Sequence, residues 1–113
     1  MSYASPIMDS MMIGMNSGNY DMFSANFSDT MKAAMDSEKF AQLSYMLQAT
    51  IGKYMSKEGA ANVDEADGYY RAVFTAHFTD DDPVSVTMSF RKGGGEHKVE
   101  GLWFSSKKLM GKT

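Results

Sequence analysis

The spacing of apolar residues changes character near Gly52. Before it they recur every three or four positions, the period of one helix face; after it they alternate, the period of a strand. Met8, Met11, Met12 and Met15 stand at i, i+3, i+4 and i+7 and predict a helix over residues 6–15, capped by Ser5 with Pro6 in its first turn. Gly14 weakens its interior. Asn16-Ser17-Gly18-Asn19 reads as a stop and a restart. Asn19 can cap a short helix carrying Tyr20, Phe23 and Phe27, and Ser28 or Asp29 opens another turn through Met31 and Met35. The longest helix opens at Ser37 and places Phe40, Leu43, Leu47 and Ile51 on a buried stripe, with Met46 and Tyr54 beside it, before Gly52 stops it.

Four strands are predicted to follow. The first, residues 54–66, is weakly patterned and interrupted by Gly59; Asp67-Gly68 then signals a tight hairpin. The second puts Tyr70, Ala72, Phe74, Ala76 and Phe78 on one face and Tyr69, Arg71, Val73, Thr75 and His77 on the other. The third points Val84, Val86, Met88 and Phe90 inward and Ser85, Thr87, Ser89 and Arg91 outward. In the last, residues 97–106, Gly101 breaks the alternation and predicts a bulge or bend. The tail, residues 107–113, is expected to fray. These elements predict a single α+β domain over residues 1–113. Its N-terminal helices, about 6–51, pack on a curved four-stranded antiparallel meander, about 54–106. A curved sheet over helices leaves a wedge whose open end can form a pocket.

Composition narrows the chemistry. A chain of 113 residues is one domain in length and long enough to bury a core without staples. Cysteine is absent, which excludes disulfides, thiolate nucleophiles and thiolate-bound zinc or iron–sulfur clusters, and fits a reducing compartment. The net charge is −3 with mixed signs and no basic stripe, so nucleic acid is not an expected partner. No apolar run approaches the ~20 residues that span a bilayer. Residues 1–15 carry Asp9 and no leading positive charge, unlike a secretory signal. No membrane partner is expected, and the expected location is cytoplasmic. Twelve methionines are unusual for this length. They could make an adaptable binding surface or bind a soft metal, but at helical spacing the stripe reads as core packing.

Each candidate reactive group has a plainer reading beside it. His77 falls on the outward face and His97 follows a glycine turn, so neither reads as a base or ligand. Asp80-Asp81-Asp82 lacks the ligand spacing of a calcium loop and reads as a turn before Pro83. Gly93-Gly94-Gly95 lacks the lysine and hydroxyl residue of a phosphate loop. No metal and no cofactor is therefore expected. Glu100 is the candidate catalytic carboxylate: pointing inward beside Gly101 it would be a desolvated general base, pointing outward an ordinary strand charge.

The stretch Met15-Asn16-Ser17-Gly18-Asn19-Tyr20-Asp21 with Phe23, Phe27 and Met31, then Gly52-Lys53-Tyr54, Tyr69-Tyr70 and Val99-Glu100-Gly101-Leu102-Trp103-Phe104, resembles a family of small prokaryotic domains of unknown function. The resemblance spans about Met8 to Phe104. It implies a place among the nuclear-transport-factor-2-like domains, with a cystatin-like α+β fold; some members are joined to α/β-hydrolases. Superfamily enzymes (isomerases, dehydratases and cyclases) place an Asp, a His or a Tyr inside the cone. Apart from the Tyr70 hydroxyl, the inward positions here are aromatic or aliphatic, and no nucleophile elbow is present. On the outer sheet face Val73, Tyr69 and Trp103 can join Thr75, Thr87 and Ser89 in a flat, mildly apolar surface able to pair two subunits. The resemblance implies the same, since related domains often pair through the sheet, and the expected homodimer interface is Tyr69, Val73, Thr75, Thr87 and Trp103.

Three functions are compatible with this reading. The favoured one is a non-catalytic domain that binds a small apolar molecule or a protein, its interior pocket lined by Phe23, Tyr45, Tyr70, Phe74, Met88 and Phe90. The second is a small isomerase or dehydratase using Glu100 or a tyrosine. The third is a structural dimerisation module.

Overall fold

Caps and glycines set the helix boundaries. The computed structural model describes residues 3–58, 62–92 and 97–110. Helix α1 runs Ala4–Ser17, longer at both ends than the methionine stripe alone predicts. Ser5 does not cap it; it lies inside the first turn, and the cap position is Tyr3, without a side-chain bond. Pro6 still falls in that first turn, where its missing N–H leaves no bond unmade. Gly18 ends the helix at φ +70°, a backbone state that costs glycine little, with its N–H donating to Met15 O at 3.3 Å.

Gly14, inside α1, has a packing reason. A Cβ there would lie 2.7 Å from the backbone nitrogen of Phe23, so glycine lets α2 (Tyr20–Ser24) approach closely. Asn19 caps α2, its side chain accepting from the Met22 N–H at 3.1 Å. Ser28 caps α3 (Asp29–Ala34) through the Met31 N–H at 3.1 Å. Asp36 caps α4 (Ser37–Thr50) through the Lys39 N–H at 2.9 Å. Phe27 lies beyond α2 and forms a parallel bridge to Val99.

The predicted first strand is two strands. β1 (Tyr54–Lys57) and β2 (Asn62–Ala66) both pair antiparallel with β3 (Tyr69–Phe78), β1 against its C-terminal end and β2 against its first half. β3 pairs with β4 (Val84–Arg91), and β4 with β5 (Val99–Ser105). Among the described residues the sheet therefore has five strands rather than four, with β1 and β2 sharing one edge of β3. Gly59, where the sequence predicts the interruption, lies outside the described residues. The bulge predicted near Gly101 is present: Ser89 pairs with Gly101 and Phe90 with Val99, so Glu100 has no cross-strand partner. Of the tail expected to fray, residues 111–113 lie outside the described residues, and residues 107–110 are ordered locally. They form a turn in which Lys108 N–H donates to Asp81 Oδ2 at 3.2 Å and Leu109 packs against the core.

The core lies between the helices and one sheet face. Met8, Met11, Met12 and Met15 are at most 1% exposed and pack in one cluster with Phe23, Phe27, Leu47, Ile51, Phe74, Met88 and Phe90. Burying each such side chain stabilises the fold by about 1.5–3 kcal/mol. Polar clamps fix the angle of α1 on the sheet. The Asn16 side chain donates to Tyr54 O at 2.8 Å and accepts from Tyr54 N–H at 3.0 Å. Asp9 receives the Tyr54 hydroxyl at 3.1 Å and Lys57 Nζ at 2.9 Å. Burial first, and then the Asp9 carboxylate, hold that hydroxyl protonated well above the ordinary tyrosine range.

Candidate functional site

The six residues predicted to line an interior pocket do not meet around one. Phe23, Phe74, Met88 and Phe90 are 0–1% exposed and packed side chain to side chain. Phe23 sits 5.1 Å from the Phe27 ring and 4.6 Å from that of Phe40. Tyr70 is half-buried, with Lys92 Nζ 5.2 Å above its ring. Tyr45 is 80% exposed. One residue is a 100° step around a helix, so burying Ser44 turns Tyr45 outward. The physical reason for the filled interior is the α1 stripe: four long, flexible thioethers occupy the wedge between helices and sheet.

A concavity of about 710 Å³ lies instead along α4 against Gly18 and Tyr20, and includes Tyr45. Two of its polar side chains are already engaged. Ser44 Oγ and Gln48 Nε2 both donate to Met15 O, at 3.2 and 3.3 Å. Size alone therefore does not make it the best candidate.

The outward sheet face is more informative. Cross-strand register aligns Val73, Thr87 and Trp103 in one row and Arg71, Ser89 and Gly101 in the next, with Tyr69 opposite Arg91 beyond them. All five residues predicted for a subunit interface lie on this face. Tyr69, Val73, Thr75 and Thr87 are half-buried, while Trp103 is 55% exposed. The indole leans over Gly101: a Cβ at that glycine would stand 2.5 and 2.9 Å from two ring carbons of Trp103 and 2.8 Å from Ser89 Oγ. The absent side chain at Gly101 is what lets the tryptophan close down on the strand.

Beside the indole lies a groove of about 410 Å³ lined by Asp67, Tyr69, Arg71, Ser89, Glu100 and Trp103. Arg71 is held by a two-bond fork to Asp64, both bonds 2.8 Å, which lowers the Asp64 pKa. The Arg91 guanidinium stands 5.9 Å from the Tyr69 ring centroid and 3.6 Å from Glu100. Glu100 is neither in the interior nor freely solvated. The bulge turns its side chain, 13% exposed, between this groove and a second one of about 470 Å³ shared with Ser28, Lys32, Arg91 and Lys98. Of the two orientations that the sequence leaves open, the side chain takes neither the interior nor a fully solvated position.

The histidines sit apart from these grooves. His77 Nδ1 lies 2.6 Å from Asp82 and Nε2 3.6 Å from Glu58. Its pKa is raised, chiefly by the hydrogen bond to Asp82 and then by Glu58. His97 stacks on Tyr3 with ring centroids 3.8 Å apart. Asp81 accepts backbone N–H groups from Asp82 and Lys108, as a turn residue does. Among the described residues, no group of three or more acidic or histidine side chains could hold a metal ion. Gly93-Gly94-Gly95 lies outside the described residues.

The family model described as a protein of unknown function (DUF3887) matches residues 11–102. The chain belongs to this family. The DUF3887 match runs from within α1 into β5; it takes in Tyr69, Arg71, Ser89 and Glu100 and ends one residue before Trp103. No curated protein and no solved structure matches the chain. No helix among the described residues is long and apolar enough to cross a membrane.

Sequence reasoning singled out Glu100 and Trp103 for different roles, placed Ser89 on the outer surface only, and gave Asp67 and Arg71 no functional role. The signal was available. Period-two alternation already put Tyr69, Arg71 and Ser89 on the outward face, and Gly101 marked where a neighbouring ring could approach.

Proposed function

We propose that this chain is a non-catalytic recognition domain whose working surface is the outward face of the sheet around Trp103. The observation that carries this reading is a large aromatic side chain, 55% exposed, held beside a groove that contains a mostly buried carboxylate. A methionine- and phenylalanine-filled core supports it, because a ligand in the interior would have to displace packed side chains. Glu100 has Arg91 as its ion-pair neighbour, and among the described residues no acidic or histidine cluster forms around it, which favours binding over catalysis.

A nuclear-transport-factor-2-like ancestry, a cytoplasmic location and an accessory role beside a hydrolase belong to the same proposal. The order of helices followed by an antiparallel sheet supports the first of these. A second reading, self-association through Tyr69, Val73, Thr75, Thr87 and Trp103, is favoured by one specific observation: the row Val73, Thr87 and Trp103 crosses three strands without a charge.

Native mass spectrometry of the purified protein, gentle and then activated, tests both readings. A small mass lost on activation supports ligand recognition. A dimer that Trp103→Ser converts to monomer supports the second reading. A bare monomer for both proteins contradicts the assignment of this face.

A further inference from the structure

Resting on the reading of the Trp103 face as a recognition surface, we propose that its groove takes an uncharged, ring-shaped polyol, such as one pyranose unit of a saccharide. Three observations select this chemistry. The first is charge. Arg71 lines the groove beside Asp67 and Glu100, with Asp64 and Arg91 as the ion-pair neighbours of Arg71 and Glu100, so both signs meet there and neither a cation nor an anion faces a surface of purely opposite charge. Arg71 is also already held by Asp64 through two 2.8 Å bonds, so an anion would have to compete with that carboxylate for it.

The second is unfilled hydrogen-bonding capacity of both kinds. Arg91 stands 3.6 Å from Glu100, too far for a good hydrogen bond, so this carboxylate, 13% exposed and lining the groove, keeps acceptor capacity. Ser89 contributes a hydroxyl, and Arg71 retains N–H groups beyond the two that Asp64 accepts. Ring hydroxyls both donate and accept, which matches this mixed set. The third is shape. The exposed Trp103 indole offers an apolar ring surface held in place over Gly101, with Tyr69 across the groove. Carbon-bound hydrogens on one side of a pyranose can pack on such a ring while its hydroxyls reach the polar rim. A volume of about 410 Å³ suits a ligand of one or two rings.

The chain has a single tryptophan, so its indole N–H signal and its emission report on the groove alone. Labelled full-length protein is titrated with maltotriose, cellotriose and N,N′-diacetylchitobiose, and in parallel with tetramethylammonium and acetate. At least one saccharide is expected to shift the Trp103 indole and the Gly101 and Ser89 amides saturably. Trp103→Ala abolishes these backbone shifts and Trp103→Tyr restores them in part, which a misfolded variant would not do. Glu100→Ala weakens binding about tenfold, as the loss of one hydrogen bond to a charged group does. Saccharides that leave every signal unmoved at tens of millimolar overturn the proposal. Shifts produced by tetramethylammonium or acetate alone also overturn the ligand class, yet leave the sheet face standing as the recognition surface.

Discussion

Replacing Gly101 by alanine puts a methyl group where the Trp103 indole and the Ser89 hydroxyl already lie. The new Cβ would meet two ring carbons at 2.5 and 2.9 Å and Ser89 Oγ at 2.8 Å, all well inside contact distance. The hydroxyl can rotate away at little cost. The indole must swing off the strand. Trp103 is 55% exposed, so it hides somewhat less than half of its surface. For a side chain that can bury up to ~250 Å², losing half of that contact removes on the order of 50 Å² of apolar burial, or about 1–2 kcal/mol. Gly101 is not among the positive-φ glycines, so alanine also gains about 0.4–1 kcal/mol by restricting the unfolded chain. The net expectation is a loss of about 1 kcal/mol in urea denaturation, accompanied by a red shift of the tryptophan emission. In a Trp103→Ala background the same change should be neutral or slightly stabilising. The double-mutant cycle then isolates the indole contact. A Gly101→Ala protein with unchanged stability and unchanged emission would refute the claim that glycine holds the indole in place.

Three further predictions address the rest of the molecule. Met12→Ala empties a fully buried site and should cost about 2–5 kcal/mol by chemical denaturation, whereas a surface methionine would cost almost nothing. Asn16→Ala strips both side-chain bonds from the Tyr54 backbone and should cost about 1–3 kcal/mol, with faster hydrogen exchange at the start of β1. His77 has a folded pKa above its unfolded value, so the stability it adds is complete below the ordinary histidine range and is lost as pH rises through the raised pKa. Its titration, followed by NMR, should fall toward the ordinary range in Asp82→Asn, because the hydrogen bond to Asp82 is the main cause of the shift.

The legible parts of this fold were those written as local pattern. The methionine stripe, the caps at Asn19 and Ser28, the inward set on β3 and β4, and the bulge near Gly101 all follow from spacing or from the conformational habits of single residues. The illegible parts depended on what lies across space. Alternation cannot say that the α1 methionines fill the wedge, so Phe23 and Phe74 read as pocket walls when they are core. A bulge removes the parity on which inward and outward assignments rest, so Glu100 could not be oriented from sequence. The Asn16 and Asp9 clamps join residues at least 38 positions apart, beyond any local signal. The weakly patterned segment before Asp67 concealed two strands, because β1 and β2 borrow their register from β3.

The most direct test of a working surface on the outward sheet face maps amide chemical shifts in uniformly labelled protein. One series adds the saccharide panel, one raises protein concentration, and one adds benzene as a probe for interior space. The account predicts shifts confined to Tyr69, Arg71, Ser89, Gly101 and Trp103 in the first series or across the Val73, Thr87 and Trp103 row in the second, with the core unmoved by benzene. Shifts concentrated at Phe23, Phe74, Met88 and Phe90, with the outward face silent, would contradict it and return the site to the interior.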